Sequence, residues 1–224
     1  LNWLIEACQQ PSIAAQNNGI AEMAALTERL LSHIGAEVQQ VPTPGYPVVY
    51  GEVQGTQDKT LSFYDHYDVQ PADPLDLWQS APFEPEIREG TLYARGVADN
   101  KGNLVARICA VDAYLRARGK LPINVKFIFE GEEEIGSPNL SAFAEANRDL
   151  LQADACIWEA GYCDTQGRRT GYLGLKGILY VELRTTQANV DLHSSWAAVV
   201  PSAAWRLTQA LNSLKDATDR VQIA

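Results

Sequence analysis

Four segments of the sequence place acidic and imidazole side chains directly after predicted strands. They are 63–71 with His66, 96–102 with Asp99, 130–137 with Glu130 to Glu134, and 155–158 followed by Glu159. Because ligands of open α/β sheets bind beyond the carboxyl ends of the strands, we expect these side chains to converge. Their nitrogen and oxygen donors suit Zn²⁺, and also Co²⁺ or Mn²⁺.

Each of these segments also has a purely structural interpretation when it is taken alone. His66 and Asp68 form either a surface pair or a metal-binding imidazole with the carboxylate that orients it. Asp99 precedes a predicted helix, where it could be the N-cap, a carboxylate that bridges two cations, or in part both, because the free N–H groups of a helix start orient a carboxylate. The acidic run 130–134 repels itself unless cations compensate, and a carboxylate that binds no cation is suited to act as a general base.

The elements that must position these groups alternate between helices and strands. Apolar residues recur at helical spacing over 19–34 and 104–116, which predicts two amphipathic helices. Short apolar runs predict strands at 48–50, 61–64, 123–129 and 155–158. This alternation is typical of α/β proteins, so we expect a doubly wound, mainly parallel sheet flanked by helices.

The sequence changes character after about residue 170. An alternating apolar pattern over 178–185 predicts an edge or antiparallel strand with one exposed face, and a helix is predicted at about 202–214. We therefore expect a first domain over 1–174 and the beginning of a second, α+β domain over 175–224. One strand and one helix cannot enclose a core, so we expect the second domain to be incomplete in this chain.

Composition excludes several classes of protein. The 224 residues are 46% apolar and 21% charged, which supports a buried core rather than a disordered chain. The net charge of -10 argues against nucleic acid or an anionic membrane surface as a partner, and no apolar run is long enough to span a bilayer. The four cysteines form no CxxC pair and no signal-peptide pattern is visible, so a reduced, cytoplasmic setting is expected.

The order and approximate spacing of the acidic motifs resemble a known family of enzymes. The matching segments are His66 to Pro71, Trp78 with Pro82-Phe83, Gly90 through Arg95-Gly96 to Asp99-Asn100-Lys101-Gly102, and Glu133 to Ser137. They resemble the dinuclear-zinc metallopeptidases, which include carnosinase-like dipeptidases, aminoacylase, succinyl-diaminopimelate desuccinylase, acetylornithine deacetylase and bacterial glutamate carboxypeptidase. The resemblance runs from about residue 1 to beyond 200. It implies a zinc-peptidase-like catalytic domain over 1–174 and the start of a lid or dimerisation domain over 175–224.

The resemblance also implies a set of metal ligands. His66 and Glu159 are expected to bind one Zn²⁺, Glu134 the second, and Asp99 to bridge the two ions. The peptide bond between Asp99 and Asn100 is expected to be cis. Co²⁺ or Mn²⁺ would suit the same donors.

Three further residues are implied to take part in catalysis. Glu133 corresponds to the general base that takes a proton from a metal-bridging water, and Asp68 to the residue that orients His66. His193 corresponds to the lid histidine that stabilises the oxyanion, often at the active site of the partner subunit. The implied activity is hydrolysis of a peptide or amide bond in a small peptide or an N-acyl amino acid, by a homodimer joined through the lid domain.

This sequence departs from the family pattern in three places. The family has a last metal-binding histidine near the C-terminus of a longer chain, whereas no histidine follows His193 here, so we expect the chain to be a fragment. The segment 193–198 lacks the glycines that usually follow this histidine, which questions the geometry of its turn. A glutamate at the ligand position of Glu159 is typical of aminoacylases and desuccinylases. The sequences of 66–71 and of the acidic motif, in contrast, are more similar to those of dipeptidases. The substrate class therefore stays open between dipeptidase, carboxypeptidase and deacylase.

Two other functions are compatible with parts of the pattern. A truncated, non-catalytic homologue would bind peptides or dimerise through 178–214. A nuclease or phosphatase with two metal ions would use similar carboxylates, but the sequence has no glycine-rich loop that would cradle a phosphate.

Overall fold

The computed structural model describes residues 1–159, 163–172, 174 and 176–222. The chain divides into two compact units, Leu1–Tyr172 and Leu173–Ala224.

The first unit alternates helices and strands as its sequence predicts. Its helices are α1 (Asn2–Gln9), α2 (Ile20–His33), α3 (Lys101–Arg118), α4 (Leu140–Ala146) and α5 (Arg148–Leu151). Its strands are β1 (Glu37–Val41), β2 (Val48–Val53), β3 (Gly55–His66), β4 (Glu86–Arg88), β5 (Thr91–Tyr93), β6 (Leu121–Glu130) and β7 (Ala155–Ile157). Short 3₁₀ turns connect them, including Glu133–Ile135 directly after β6.

A mixed, mainly parallel arrangement of strands forms the central sheet, in the order β1-β2-β6-β3-β7. Strands β6, β3 and β7 run parallel, and β2 and β1 complete one edge in the antiparallel sense. The parallel register pairs His66 with Glu130, so β3 and β6 end at the same edge of the sheet. The α/β fold with helices around a central sheet, predicted from the sequence, is thereby confirmed.

Both faces of the sheet are covered. On one face Phe63, Phe127 and Phe129 pack with residues of α1, α2 and α3, whereas Tyr64 and Ile128 on the other face pack against α4 and α5. The last six residues of β6 are all buried, as expected for a strand with a helix layer on each side. This double burial fixes the register of β3 and β6, and with it the positions of the side chains that follow them.

The sequence predicted α2 and α3 closely but missed the marginal elements. Strand β1 is largely exposed, and β4 and β5 are three residues each, so none of them shows a clear apolar pattern.

The second unit contains the helix α6 (Ala203–Leu214), close to the predicted range, and a 3₁₀ helix at Ser194–Ala198. The strand predicted over 178–185 is wrong, because these residues form no strand and Ile178, Leu179 and Tyr180 are 75, 85 and 88% exposed. An alternating pattern yields a strand only when another strand accepts its hydrogen bonds, and the described residues of this unit provide none. Over the described part of the chain, no helix is long and apolar enough to cross a membrane.

A buried lysine ties the start of α3 to the end of α1. The side chain of Lys101 is fully buried, and its ammonium group donates to the carbonyl oxygens of Ala7 at 2.9 Å and Gln10 at 2.6 Å. Burial lowers the pKa of Lys101 to about 8.

We expect Lys101→Met to lower the free energy of unfolding by about 2 kcal/mol, because the two carbonyls lose a charged donor. Urea unfolding of the metal-free chain measures this, with the exposed Lys120→Met as the control. Equal midpoints for the two variants would show that the buried contacts contribute nothing.

Candidate metal centre

His66 lies at the carboxyl end of β3 with only 1% of its surface exposed. Its Nδ1 lies 3.1 Å from the backbone oxygen of Asp68 and 3.3 Å from the carboxylate of the same residue. Its Nε2 faces three acids: Asp99 at 3.0 Å, Glu159 at 3.6 Å and Glu133 at 3.8 Å. An imidazole that donates from Nδ1 and points Nε2 at carboxylates has the orientation of a metal ligand.

The parallel strands explain why residues so distant in sequence meet here. His66 ends β3, Glu133 and Glu134 lie in the turn after β6, and Glu159 lies two residues beyond β7. Asp99 lies just before α3, and its peptide bond to Asn100 is cis, as the resemblance implies.

Asp99 is not the N-cap of α3. Asn100 occupies that position, and the Asp99 carboxylate contacts His66 instead. The structural alternative for Asp99 is therefore wrong.

Asp68 contacts both His66 and the acidic turn, which is the 3₁₀ turn Glu133–Ile135 after β6. Its carboxylate, which is fully buried, accepts hydrogen bonds from the backbone N–H groups of Glu133 at 3.2 Å and Glu134 at 3.0 Å. The sequence predicted the contact with His66 but not this second one. Asp68 thus fixes the imidazole and the acidic turn relative to each other.

Gln70 is a site residue to which sequence reasoning assigned no role. Its side-chain amide donates to the carboxylate of Glu134 at 2.8 Å and to the carbonyl of Glu134 at 3.0 Å. The only signal in the sequence is its place in the motif that begins at His66.

The electrostatics of the cluster favour added positive charge. Burial raises the pKa of Glu133 and of Glu134, and it raises that of Glu159 to about 7. Burial disfavours the imidazolium of His66, but hydrogen bonds to Asp68 and Asp99 outweigh it and raise this pKa to about 11. The carboxylates around His66 therefore stabilise a positive charge on the imidazole, and a cation bound among them would be stabilised in the same way.

The donor set fits a divalent metal ion. Ligand atoms of His66, Glu133 and Glu134 all lie within 4.8 Å of one another, and Asp99 and Glu159 approach His66 from the other segments. Oε2 of Glu159 is buried and has no hydrogen-bond partner within the described residues. A buried carboxylate oxygen without a partner is costly, and a cation at this point would satisfy it.

His193 belongs to the second unit. Its Nδ1 accepts a hydrogen bond from the backbone N–H of Ser195 at 3.2 Å and lies 3.0 Å from the hydroxyl oxygen of the same residue. The backbone over 193–198 has no positive φ, so its turn needs no glycine. The part of His193 in catalysis stays a prediction.

Residues 62–222 match the model of the peptidase family M20/M25/M40. The chain belongs to this family. The resemblance inferred from the motifs is thus confirmed.

Two relatives and one solved structure that are similar to this M20 chain carry peptidase names. It is 32% identical over 211 residues to the Cys-Gly metallodipeptidase dug1 of Schizosaccharomyces pombe, covering 85% of this chain and 44% of the relative. It is 32% identical over 216 residues to the human Beta-Ala-His dipeptidase, covering 90% and 43%. The M20 family metallo-carboxypeptidase Sso-CP2 of Sulfolobus solfataricus superposes with a TM-score of 0.91 at 43% identity, covering 97% of this chain and 50% of that structure. The chain therefore spans about half the length of these proteins.

Proposed function

We propose that this M20 chain carries the metal-binding part of a zinc-dependent hydrolase that cleaves the peptide bond of dipeptides. The observation that carries the proposal is the convergence of three carboxylates on Nε2 of His66, one of them with a buried oxygen that has no partner. The names of the three proteins compared above, two dipeptidases and a carboxypeptidase, support peptides as substrates.

In this proposal the ligands of two Zn²⁺ ions come from four segments of the chain. His66 and Glu159 would hold one ion, Glu134 would hold the other, and Asp99 would contribute to both. When bound, Zn²⁺ polarises a carbonyl group and makes water more acidic; Co²⁺ or Mn²⁺ would supply the same chemistry.

Glu133 is proposed as the general base. The carboxylate of Glu133 is partly buried beside His66. The backbone N–H of Glu133 donates to Asp68, so this hydrogen bond holds the residue in place and no metal ion is needed for that. The carboxylate would accept the proton of the attacking water and return it to the departing amine. Asp68 orients His66, and we assign His193 to stabilisation of the oxyanion.

We further propose that 1–174 is the catalytic domain and 175–224 the beginning of a lid and dimerisation domain of a cytoplasmic homodimer. The division of the chain after Tyr172 and the exposed apolar side chains of the second unit support this assignment.

A panel of dipeptides and N-acyl amino acids, assayed with Zn²⁺ and after treatment with a chelator, tests the function. We expect hydrolysis of dipeptides that the chelator abolishes and Zn²⁺ restores. A protein that binds no Zn²⁺ and hydrolyses no member of the panel would contradict the proposal and favour the non-catalytic, peptide-binding alternative.

A further inference from the structure

Two side chains of α3, one helical turn apart, contact the segments that carry the proposed ligands. Arg107 donates from Nη1 to the backbone oxygen of Tyr64 at 2.8 Å and to the carboxylate of Asp65. It donates from Nη2 to the backbone oxygen of Trp158 at 2.9 Å. One guanidinium group thus joins the residues just before His66 to the residue just before Glu159.

Asn103 makes the second set of contacts. Its side-chain amide donates to the backbone oxygen of Glu159 at 2.9 Å and to the side-chain oxygen of Asn100 at 2.8 Å. Asn100 in turn donates to the carboxylate of Asp65 at 3.0 Å. The loop that carries Asp99 is therefore linked to Glu159 and to the end of β3.

Within the described residues, few other contacts hold Glu159 in place. Strand β7 is three residues long, and among the described residues it pairs only with β3. The ring of Trp158 stacks on that of Tyr64, with 3.9 Å between the ring centroids. Because Oε2 of Glu159 has no hydrogen-bond partner in the described part of the chain, we expect contacts to its backbone to set its position.

We propose that Asn103 and Arg107 are positioning residues that hold Glu159 at the correct distance from His66 and Asp99, and so set the affinity of the site for its cation. The inference rests on the proposed function, because it takes Glu159 as a ligand. Neither side chain is required to touch the substrate. Outer contacts of this kind commonly change metal affinity ten- to a hundredfold, on the order of the effect expected here.

Arg107 also forms an ion pair with Asp65, and the test must separate the loss of this ion pair from the loss of positioning. Arg107 neutralises Asp65, whose side chain is fully buried, so replacing Arg107 alone leaves a buried carboxylate without its charged partner, with only the amide of Asn100 still donating to it. Asn103→Ala removes no charge and is the main test. The paired variant Asp65→Asn/Arg107→Gln removes the guanidinium without leaving a buried charge.

Zn²⁺ affinity of the whole chain, measured by competition with a chromophoric chelator, tests the proposal. We expect Asn103→Ala and the paired variant to bind about ten- to a hundredfold more weakly. The matched control is Arg116→Ala, on the exposed side of the same helix, which should stay within about twofold of the unsubstituted chain.

A double-mutant cycle distinguishes positioning from a general effect on the fold. In a Glu159→Ala background, Asn103→Ala should have no further effect, because the group that it positions is gone. An equal loss in both backgrounds would overturn the inference. If Glu159→Ala itself kept full affinity, the proposed ligand set would fail instead.

A crystal structure of metal-free Asn103→Ala gives an independent readout. The distance from Oε2 of Glu159 to Nε2 of His66, 3.6 Å here, should increase by about 1 Å or more, a displacement large enough to impair a site. An unchanged distance would overturn the inference, and this result would not depend on whether the protein binds a metal ion.

Discussion

Glu133→Gln is expected to lower kcat for dipeptide hydrolysis by about two to four orders of magnitude, the usual contribution of a general base. The amide keeps the shape of the side chain but cannot accept the proton of water. Metal content should be nearly unchanged, because Glu133 is proposed as a base and not as a ligand. The backbone contact from Glu133 to Asp68 also survives the substitution, so the acidic turn keeps its position.

The control for this prediction is Glu145→Gln, an exposed glutamate on α4, which should retain full activity. Retention of normal turnover by Glu133→Gln would reject its assignment as the base. Loss of metal along with activity would instead place Glu133 among the ligands. The structure allows this result, because a carboxylate oxygen of Glu133 lies within 4.8 Å of ligand atoms of His66 and Glu134.

Asp99→Asn is expected to release metal from the protein. A bridging carboxylate contributes to both sites, so its loss weakens the binding of each ion. The side chain of Asp99 is 61% exposed, and its main contact is with His66, so the fold should survive the substitution. Metal content after dialysis, measured by atomic spectroscopy alongside thermal unfolding of the metal-free chain, tests this.

Asp76→Asn, an exposed aspartate in the same unit, is the matched control and should keep its metal. If Asp99→Asn still held two ions per chain, the bridging role would be contradicted.

The positions of the acidic and imidazole side chains at the strand ends could be predicted from the sequence, because an apolar run and a polar residue after it can both be recognised there. Apolar runs identify the buried strands β3 and β6, and acidic or imidazole residues follow each run directly. Since parallel strands end at one edge of a sheet, His66, Glu133 and Glu159 had to lie near each other once the strands were paired.

The contacts that support the site could not be predicted in the same way. Gln70, Asn103 and Arg107 act through hydrogen bonds to residues 40 to 65 positions away. The contacts of Asn103 and Arg107 depend on how α3 packs beside the sheet, and that of Gln70 depends on how the loop after β3 meets the turn after β6. Nothing in the local pattern of an amphipathic helix separates Arg107 from Arg116, which lies in solvent. The strand predicted at 178–185 failed for a related reason, because alternation describes a suitable surface but not the presence of a neighbouring strand.

Anomalous X-ray scattering at the zinc absorption edge, from crystals of the protein grown with Zn²⁺, tests whether the converging side chains bind two metal ions. We expect two peaks roughly 3.5–4 Å apart, with one about 2.0–2.2 Å from Nε2 of His66 and from a carboxylate oxygen of Glu159. A map with no peak within bonding distance of His66, from crystals in which Zn²⁺ exceeds the protein, would contradict it.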